Sequence, residues 1–258
     1  MEYKYIIYDV KDKTAYITFN REKEYNAMNI AFKLELEDAV GRIENDRNIW
    51  GVIITGRGKA FNSGTDIGEF PTEVEDARRI TDFSQKLLNR IESLQKPVIA
   101  AINGYALGGG LELAMAADIR VSSEKAKLGF PEVKIGAIPC YGGTQRLARL
   151  VGTGRAKEII FTGRMVSAEE ALSMGLVNYV TPPGEELTKA EELMNLMLRN
   201  SPVAINYAKL CITEGADLPV ERAQYLEQTL VSMLIPTADL KEGTRAFLEK
   251  REPIFKNC

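Results

Sequence analysis

Two glutamates carry the strongest chemical signal in this 258-residue chain. Glu112 lies in GGGLELAMAA and Glu132, twenty residues later, in LGFPEVKIGAIP, each among apolar neighbours. A carboxylate taken out of water is costly unless it is hydrogen-bonded, paired or protonated. Two such groups push each other's pKa values apart, so that one holds a proton while the other accepts one. That is the equipment of general acid–base catalysis. The chain contains no histidine, which removes Ser-His-Asp and Cys-His pairs, the HExxH zinc motif and an imidazole base. Each glutamate also has a plainer reading. Glu112 in a first helical turn is a favourable partner for the helix dipole, and Glu132 is a cap or a surface ion pair.

The glycines ahead of Glu112 bear on the same chemistry. PVIAAING reads as a strand and GGLELAMAA as a helix, so Gly108, Gly109 and Gly110 fall at a strand-to-helix turn. Unsatisfied N–H groups gather there and can receive negative charge, and glycine lets a ligand approach the backbone closely. A tight turn with close helix packing explains the glycines as well. A dinucleotide-binding loop does not, because the third glycine of that pattern would fall at Leu113. Glu112 would moreover repel a pyrophosphate, whereas a transient enolate oxygen suits the turn. Upstream, Gly64 in GKAFNSGTDIGEF sits in an Asn/Ser/Gly/Asp loop whose backbone N–H offers a second donor.

These residues need a scaffold to hold them. YKYIIYDV and TAYITF alternate like two strands joined at Lys11–Lys13, and NIAFKLELEDAVGRIEN has amphipathic helical spacing. WGVIITG and PVIAAING read as buried strands with a helix over 74–95 between them, which predicts an α/β fold. From Gly142 the chain turns helical, and residues 184–251 read as helices broken at Ser201, Pro202, Pro219 and Pro236. With 45% hydrophobic and 8% aromatic residues, the chain can fill one large core. A net charge of −3 without long like-charge blocks leaves no footprint for nucleic acid or an anionic membrane. The N-terminal stretch MEYKYIIYDVKDK has no targeting pattern, and no apolar run is long enough to span a membrane. Cys140, Cys211 and Cys258 stand alone, without metal-site spacing, which fits a reducing cytoplasm.

KAFNSGTDI, AAINGYALGGGLELAMAADIRV, LGFPEVKIGAIPCYGGTQRLARLVG and FTGRMVSAEEALSMGLVN together resemble the enoyl-CoA hydratase (crotonase) family, as do NREKEYNAMN and the closing EGTRAFLEKREPIFK. The resemblance covers nearly the whole chain. It implies a spiral of ββα turns with an acyl-CoA site over 1–195, and a C-terminal helical region over 196–258 that assembles homotrimers or homohexamers. It further implies a thioester enolate held by the main-chain N–H groups of Gly109 and Thr65, with Glu112 and Glu132 holding a water and moving its proton. No metal or redox cofactor is implied, coenzyme A being part of the substrate. Substrate contacts map by resemblance onto Lys23, Tyr25, Ser63, Gly64, Asp66, Ile67, Gly68, Gly108 and Cys140, and onto Phe247 and Lys250, which often serve a neighbouring subunit.

Several positions depart from the commonest pattern of that family. Thr65 replaces alanine, Leu111 a small residue, Phe130 a glutamine and Cys140 a glycine. The expectation is reversible hydration of a short-chain trans-2-enoyl-CoA to the 3-hydroxyacyl-CoA, in lipid metabolism. Alternatives within the family are a carnitinyl-CoA dehydratase or a double-bond isomerase, and the second glutamate argues against the isomerase. A non-catalytic RNA-binding protein is the alternative of another class, disfavoured by the acidic balance.

Overall fold

Strand and helix alternate in the computed structural model, which describes residues 3–258. Met1 and Glu2, which open the stretch read above as free of a targeting pattern, lie outside the described residues. The strands are β1 (Ile6–Lys11), β2 (Thr14–Phe19), β3 (Gly51–Gly56), β4 (Ala60–Asn62), β5 (Val98–Ile102), β6 (Tyr105–Leu107), β7 (Ile119–Ser123), β8 (Lys127–Gly129), β9 (Met165–Ser167) and β10 (Tyr179–Thr181). The first helices are α1 (Ile30–Asn45), α2 (Val74–Glu92), α3 (Gly109–Met115), α4 (Gly143–Val151), α5 (Thr153–Thr162) and α6 (Ala168–Ser173). They are followed by α7 (Glu186–Met197), α8 (Pro202–Gly215), α9 (Val220–Leu234) and α10 (Ala238–Glu249).

Two sheets form, in the orders β1-β2-β3-β5-β7-β10 and β4-β6-β8-β9. The first strand of each successive unit joins the larger sheet and the second joins the smaller, so β3–β4–α2, β5–β6–α3 and β7–β8–α4 step along both sheets as turns of a spiral. Every pairing from β2 to β10 in the larger sheet is parallel, and β1 closes its edge antiparallel to β2. Parallel strands covered on both faces read as continuous apolar runs. Val52, Ile54, Val98, Ala100 and Ile102 face the main core, while Ile53, Ile99, Ala101 and Val121 face a second cluster closed by Ala190 and Met194 of α7.

The expected first hairpin, α1 and the strands β3 and β5 are present, and the helices after residue 184 break where the prolines and Ser201 stand. Pro202 opens α8, where a missing N–H costs nothing, and Pro219 caps α9. Lys209 of α8 ties these last helices to the spiral, donating to the Asp118 carboxylate at 2.8 Å and to the Lys96 carbonyl at 3.1 Å. The functional consequence of the spiral is local. It brings the ends of β4, β6 and β8 side by side, and the loops that leave those ends build the site.

Candidate active site

The glycine turn ends β6 and opens α3. Gly108 has φ 50° and ψ −127°, a conformation that L side chains rarely adopt, and its N–H donates to the Gly129 carbonyl of β8 at 2.9 Å. The loop after β4 packs directly against this turn. Gly64, at φ +100°, is so close that a Cβ there would lie 2.9 Å from the Leu107 carbonyl oxygen and 3.3 Å from the Gly109 nitrogen. Asn62 shapes the loop by accepting from the Gly64 N–H at 2.8 Å and donating to the Asn26 carbonyl at 2.6 Å. Met28 then bridges both sides of Thr65, donating to the Gly64 carbonyl and accepting from the Asp66 N–H. Among the described residues, neither the Thr65 N–H nor the Gly109 N–H has an acceptor. Two main-chain donors are therefore free where the loop after β4 packs against the glycine turn.

Glu112 lies in the first turn of α3 and is 1% exposed. Its Oε1 accepts from the Tyr141 N–H at 2.7 Å and from the Gly143 N–H, the first residue of α4, at 2.6 Å. Burial drives its pKa up to about 7 against the pull of these two N–H groups, and the Glu132 charge adds to the rise. Gly143 has to be glycine here, because a Cβ would stand 2.8 Å from that same oxygen. Arg146 fixes the bracket from behind. Its guanidinium donates to the Tyr141 carbonyl at 3.0 Å while it binds Glu92 and Asn89.

Glu132 enters from the other side, on the 3₁₀ turn Pro131–Ile135 after β8. Its carboxylate lies against the glycine turn, so that a Cβ on Gly108 would meet Oε1 at 2.8 Å. Burial raises its pKa to about 7. Its Oε2 is buried with no hydrogen-bond partner among the described residues. The two carboxylates are thus held in opposite ways. Glu112 has two main-chain N–H donors on one oxygen, which favour the ion, whereas Glu132 keeps one buried oxygen without a partner, which favours the acid.

Beside this pair is a chamber of about 200 Å³, lined among others by Met28, Phe70, Ile80, Cys140 and Tyr141, with Thr65 at its wall. The Cys140 thiol is pushed up to about 11 by burial and then by the negative charge of Glu112, so it stays a neutral, apolar lining group. Of the other departures from the family pattern, Leu111 is fully buried in the core and Phe130, equally buried, packs beside Gly143.

The residues 9–258 match the family model for enoyl-CoA hydratase/isomerase. The chain belongs to that family. It is 43% identical to a short-chain-enoyl-CoA hydratase of Clostridium acetobutylicum, with the alignment covering 100% of both chains. It is 41% identical to a crotonyl-CoA hydratase of Syntrophomonas wolfei over 99% of both. Among solved structures, an enoyl-CoA hydratase from Bacillus anthracis superposes at TM-score 0.95 with 40% identity, covering 99% of this chain and 100% of that one. The fold is therefore the crotonase spiral, and the chain is an enzyme of the enoyl-CoA hydratase/isomerase family.

Of the residues that the resemblance put at the site, the spiral gathers Gly64, Thr65, Gly108, Gly109, Glu112, Glu132 and Cys140 around this one place. Ser63 and Tyr25 lie on adjoining loops joined by the bond from the Ser63 N–H to the Tyr25 carbonyl, and the exposed Tyr25 ring stands edge-on to Tyr105. Lys23, Ile67 and Gly68 are exposed on the same rim. Asp66 is committed elsewhere. Its carboxylate accepts from the Arg21 guanidinium at 2.7 Å and from the Gly68 N–H at 3.0 Å, which hold its pKa below the usual range, so it shapes the loop. Phe247 and Lys250 lie on α10 and at its C-cap, and Phe247, 83% exposed, borders a different cavity among the C-terminal helices. Tyr141, Gly143, Asn62 and Arg146 went unmarked in the sequence because two of them act through backbone groups and two hold a neighbour in place. The pair of glycines in CYGGTQRL, immediately before a helix, was the available signal.

Described residues contain no group of three or more His, Cys, Asp or Glu able to hold a metal ion. No helix among them is long and apolar enough to cross a membrane.

Proposed function

We propose that the protein adds water reversibly, with syn geometry, across the α,β double bond of short-chain trans-2-enoyl-CoA thioesters, giving 3-hydroxyacyl-CoA. The observation that carries this reading is the unequal treatment of the two carboxylates beside two free N–H donors. The relatives named as short-chain and crotonyl-CoA hydratases support the substrate class.

In this mechanism the thioester oxygen accepts from the N–H groups of Gly109 and Thr65, and these take the charge that develops as the enolate forms. Glu112, ionised, takes a proton from the water whose oxygen bonds to C3. Glu132, protonated, delivers a proton to C2. The proton left on Glu112 then passes to Glu132, directly or through solvent, which restores the pair and leaves a net gain of one water. The reverse steps eliminate that water, with no metal or redox cofactor called for. An isomerase would need only one base, so the second carboxylate favours hydration. Incubating the purified protein with crotonyl-CoA and with longer enoyl-CoAs, and identifying each product by mass, tests the reading. Gain of one water on the short substrates supports it, and a mass-neutral shift of the double bond defeats it.

The pH dependence follows from the same pair. Activity requires one proton shared between two groups that both titrate near 7. Protonating Glu112 at lower pH removes the base, and ionising Glu132 at higher pH removes the acid. The coupled pair predicts a bell-shaped kcat/KM profile centred near pH 7, its two limbs belonging to the pair. A profile flat from about pH 5 to 9 would contradict the assignment.

We further assign residues 1–195 to the catalytic spiral and 196–258 to assembly, in a cytoplasmic enzyme whose three cysteines remain free thiols. Ile212, Tyr225, Ile235, Phe247 and Leu248 are all large, apolar and exposed on α8–α10 or immediately after α9. Surfaces of this kind mark protein contacts. Light scattering on the purified protein is expected to give three or six times the chain mass, and a monomer at micromolar concentration would refute the assignment.

A further inference from the structure

One charged group at the acyl chamber plays no part in the hydration chemistry. Lys33 sits on the buried face of α1 with Phe32, Leu36 and Val40, is 3% exposed, and lines the chamber. Lysine is almost never fully buried unless it is paired. Lys33 has no carboxylate within 4.0 Å among the described residues. Its Nζ donates to one protein group, the Tyr141 hydroxyl, at 2.8 Å, and lies 4.5 Å from the centre of that ring. An ammonium has three N–H donors. Two are left without an acceptor among the described residues, beside a cavity whose remaining lining is mostly apolar.

Tyr141 carries the lysine's influence to the reacting end. Its hydroxyl is 2.8 Å from Thr65 Oγ1, and its main-chain N–H holds Glu112. Because an ammonium only donates, the Tyr141 oxygen accepts from Lys33 and its proton is free to reach Thr65. The chamber therefore runs from the oxyanion position at Thr65 to a buried cation at its wall. Glu69, the acidic residue bordering the chamber, is turned to the Ile30 N–H at 2.7 Å. At about 200 Å³ the chamber falls below the roughly 300–1,000 Å³ of sites for drug-sized ligands, which limits it to a short tail.

We propose that this chamber selects short enoyl-CoA chains ending in a carboxylate, with Lys33 as the residue that binds the carboxylate. The inference rests on the acyl-CoA reading of the site and adds the class of acyl group. A carboxylate at the end of the tail supplies acceptors for the open N–H donors and neutralises a charge that the free protein leaves buried. A simple alkyl tail does neither.

The test compares two ligands, a five-carbon trans-2-enoyl-CoA ending in a carboxylate and its isostere with an isopropyl group in place of the carboxylate. Wild-type protein is expected to favour the carboxylate in kcat/KM by about 10-fold or more, the scale of one hydrogen-bonded charge contact, mainly through KM. Lys33→Met is expected to erase or reverse that ratio, and Lys33→Arg to restore part of it. Tyr141→Phe, which removes the hydroxyl that Lys33 and Thr65 share and keeps the main-chain N–H on Glu112, is expected to keep the carboxylate preference, so the proposal stays testable if Lys33→Met does not fold. Calorimetric titration with the saturated forms of both ligands reads the same preference without turnover, and so separates a failure of this inference from a failure of the hydratase reading. Equal affinity of the wild-type protein for both ligands would overturn the proposal. A parallel fall for both in Lys33→Met would also overturn it, reducing Lys33 to a support for Tyr141.

Discussion

Glu112→Gln and Glu132→Gln are each expected to lower crotonyl-CoA hydration by at least about 100-fold, the usual worth of a positioned acid or base. The two losses should differ in kind. Glutamine at 112 keeps an oxygen for the Tyr141 and Gly143 N–H groups, which now donate 2.7 and 2.6 Å bonds to the carboxylate, but it cannot take a proton from water. Glutamine at 132 cannot deliver a proton to C2, and its amide places donors where the carboxyl group has a buried, unpartnered oxygen. Both variants remove a buried ionisable group whose pKa has been raised to about 7. Between pH about 4.5 and 7 the unfolded chain holds fewer protons at these sites than the folded one, so wild-type stability falls as pH rises through that window. Neither substitution introduces such a penalty, and both variants should fold. Near wild-type turnover in either folded variant would remove that residue from the mechanism.

Gly109→Val is the second large effect, expected to cost roughly 3 kcal/mol or more of transition-state stabilisation, the value of a lost oxyanion donor. The structure locates the cause. The left-handed φ belongs to Gly108, whereas at Gly109 the obstacle is space. A Cβ there would stand 2.9 Å from the Met28 methyl and 3.0 Å from the Tyr141 ring, and a branched side chain would force the turn away from both. The N–H then no longer aims at the thioester oxygen. Thr65→Ala is the matched comparison, because it removes the hydroxyl and retains the main-chain N–H. It is expected to lose far less, and the kcat values of the two variants, both shown to be folded and assembled, measure the difference. Equal losses would mean that the threonine hydroxyl takes part in catalysis. A mild Gly109→Val phenotype would leave the triple glycine a packing device.

What the sequence made legible and what it hid divide along physical lines. The register of α1 was readable because Phe32, Leu36, Val40 and Ile43 recur at helical spacing, and the buried runs of β3 and β5 because parallel strands covered on both faces are apolar throughout. The strands β4, β6, β8 and β9 were not readable. Each is three residues long, and each pairs with a partner remote in the chain, such as Ala60 with Tyr105 and Leu128 with Val166, so no local pattern announces them. They nevertheless form the ledge from which the glycine turn and Glu132 project. At the site, the two glutamates were legible because a carboxylate among apolar residues demands a reason. The N–H groups of Tyr141 and Gly143 were not, because a main-chain donor leaves no mark in residue type. Lys33 was hidden differently. On α1 it reads as one more polar position of an amphipathic helix, and only the packed structure shows it on the buried face against Tyr141.

The proposed reaction adds one water across the double bond, with its oxygen bonding to C3 and a proton passing through a glutamate to C2. The most direct measurement is the mass and labelling pattern of the product formed from crotonyl-CoA by the purified protein in ¹⁸O-labelled heavy water. The expected product is a 3-hydroxyacyl-CoA carrying one ¹⁸O at C3 and one deuterium at C2, with both labels incorporated at least about 100-fold more slowly by Glu112→Gln. Recovered substrate with no oxygen incorporated, or deuterium exchanged into an isomer whose double bond has moved, would contradict it.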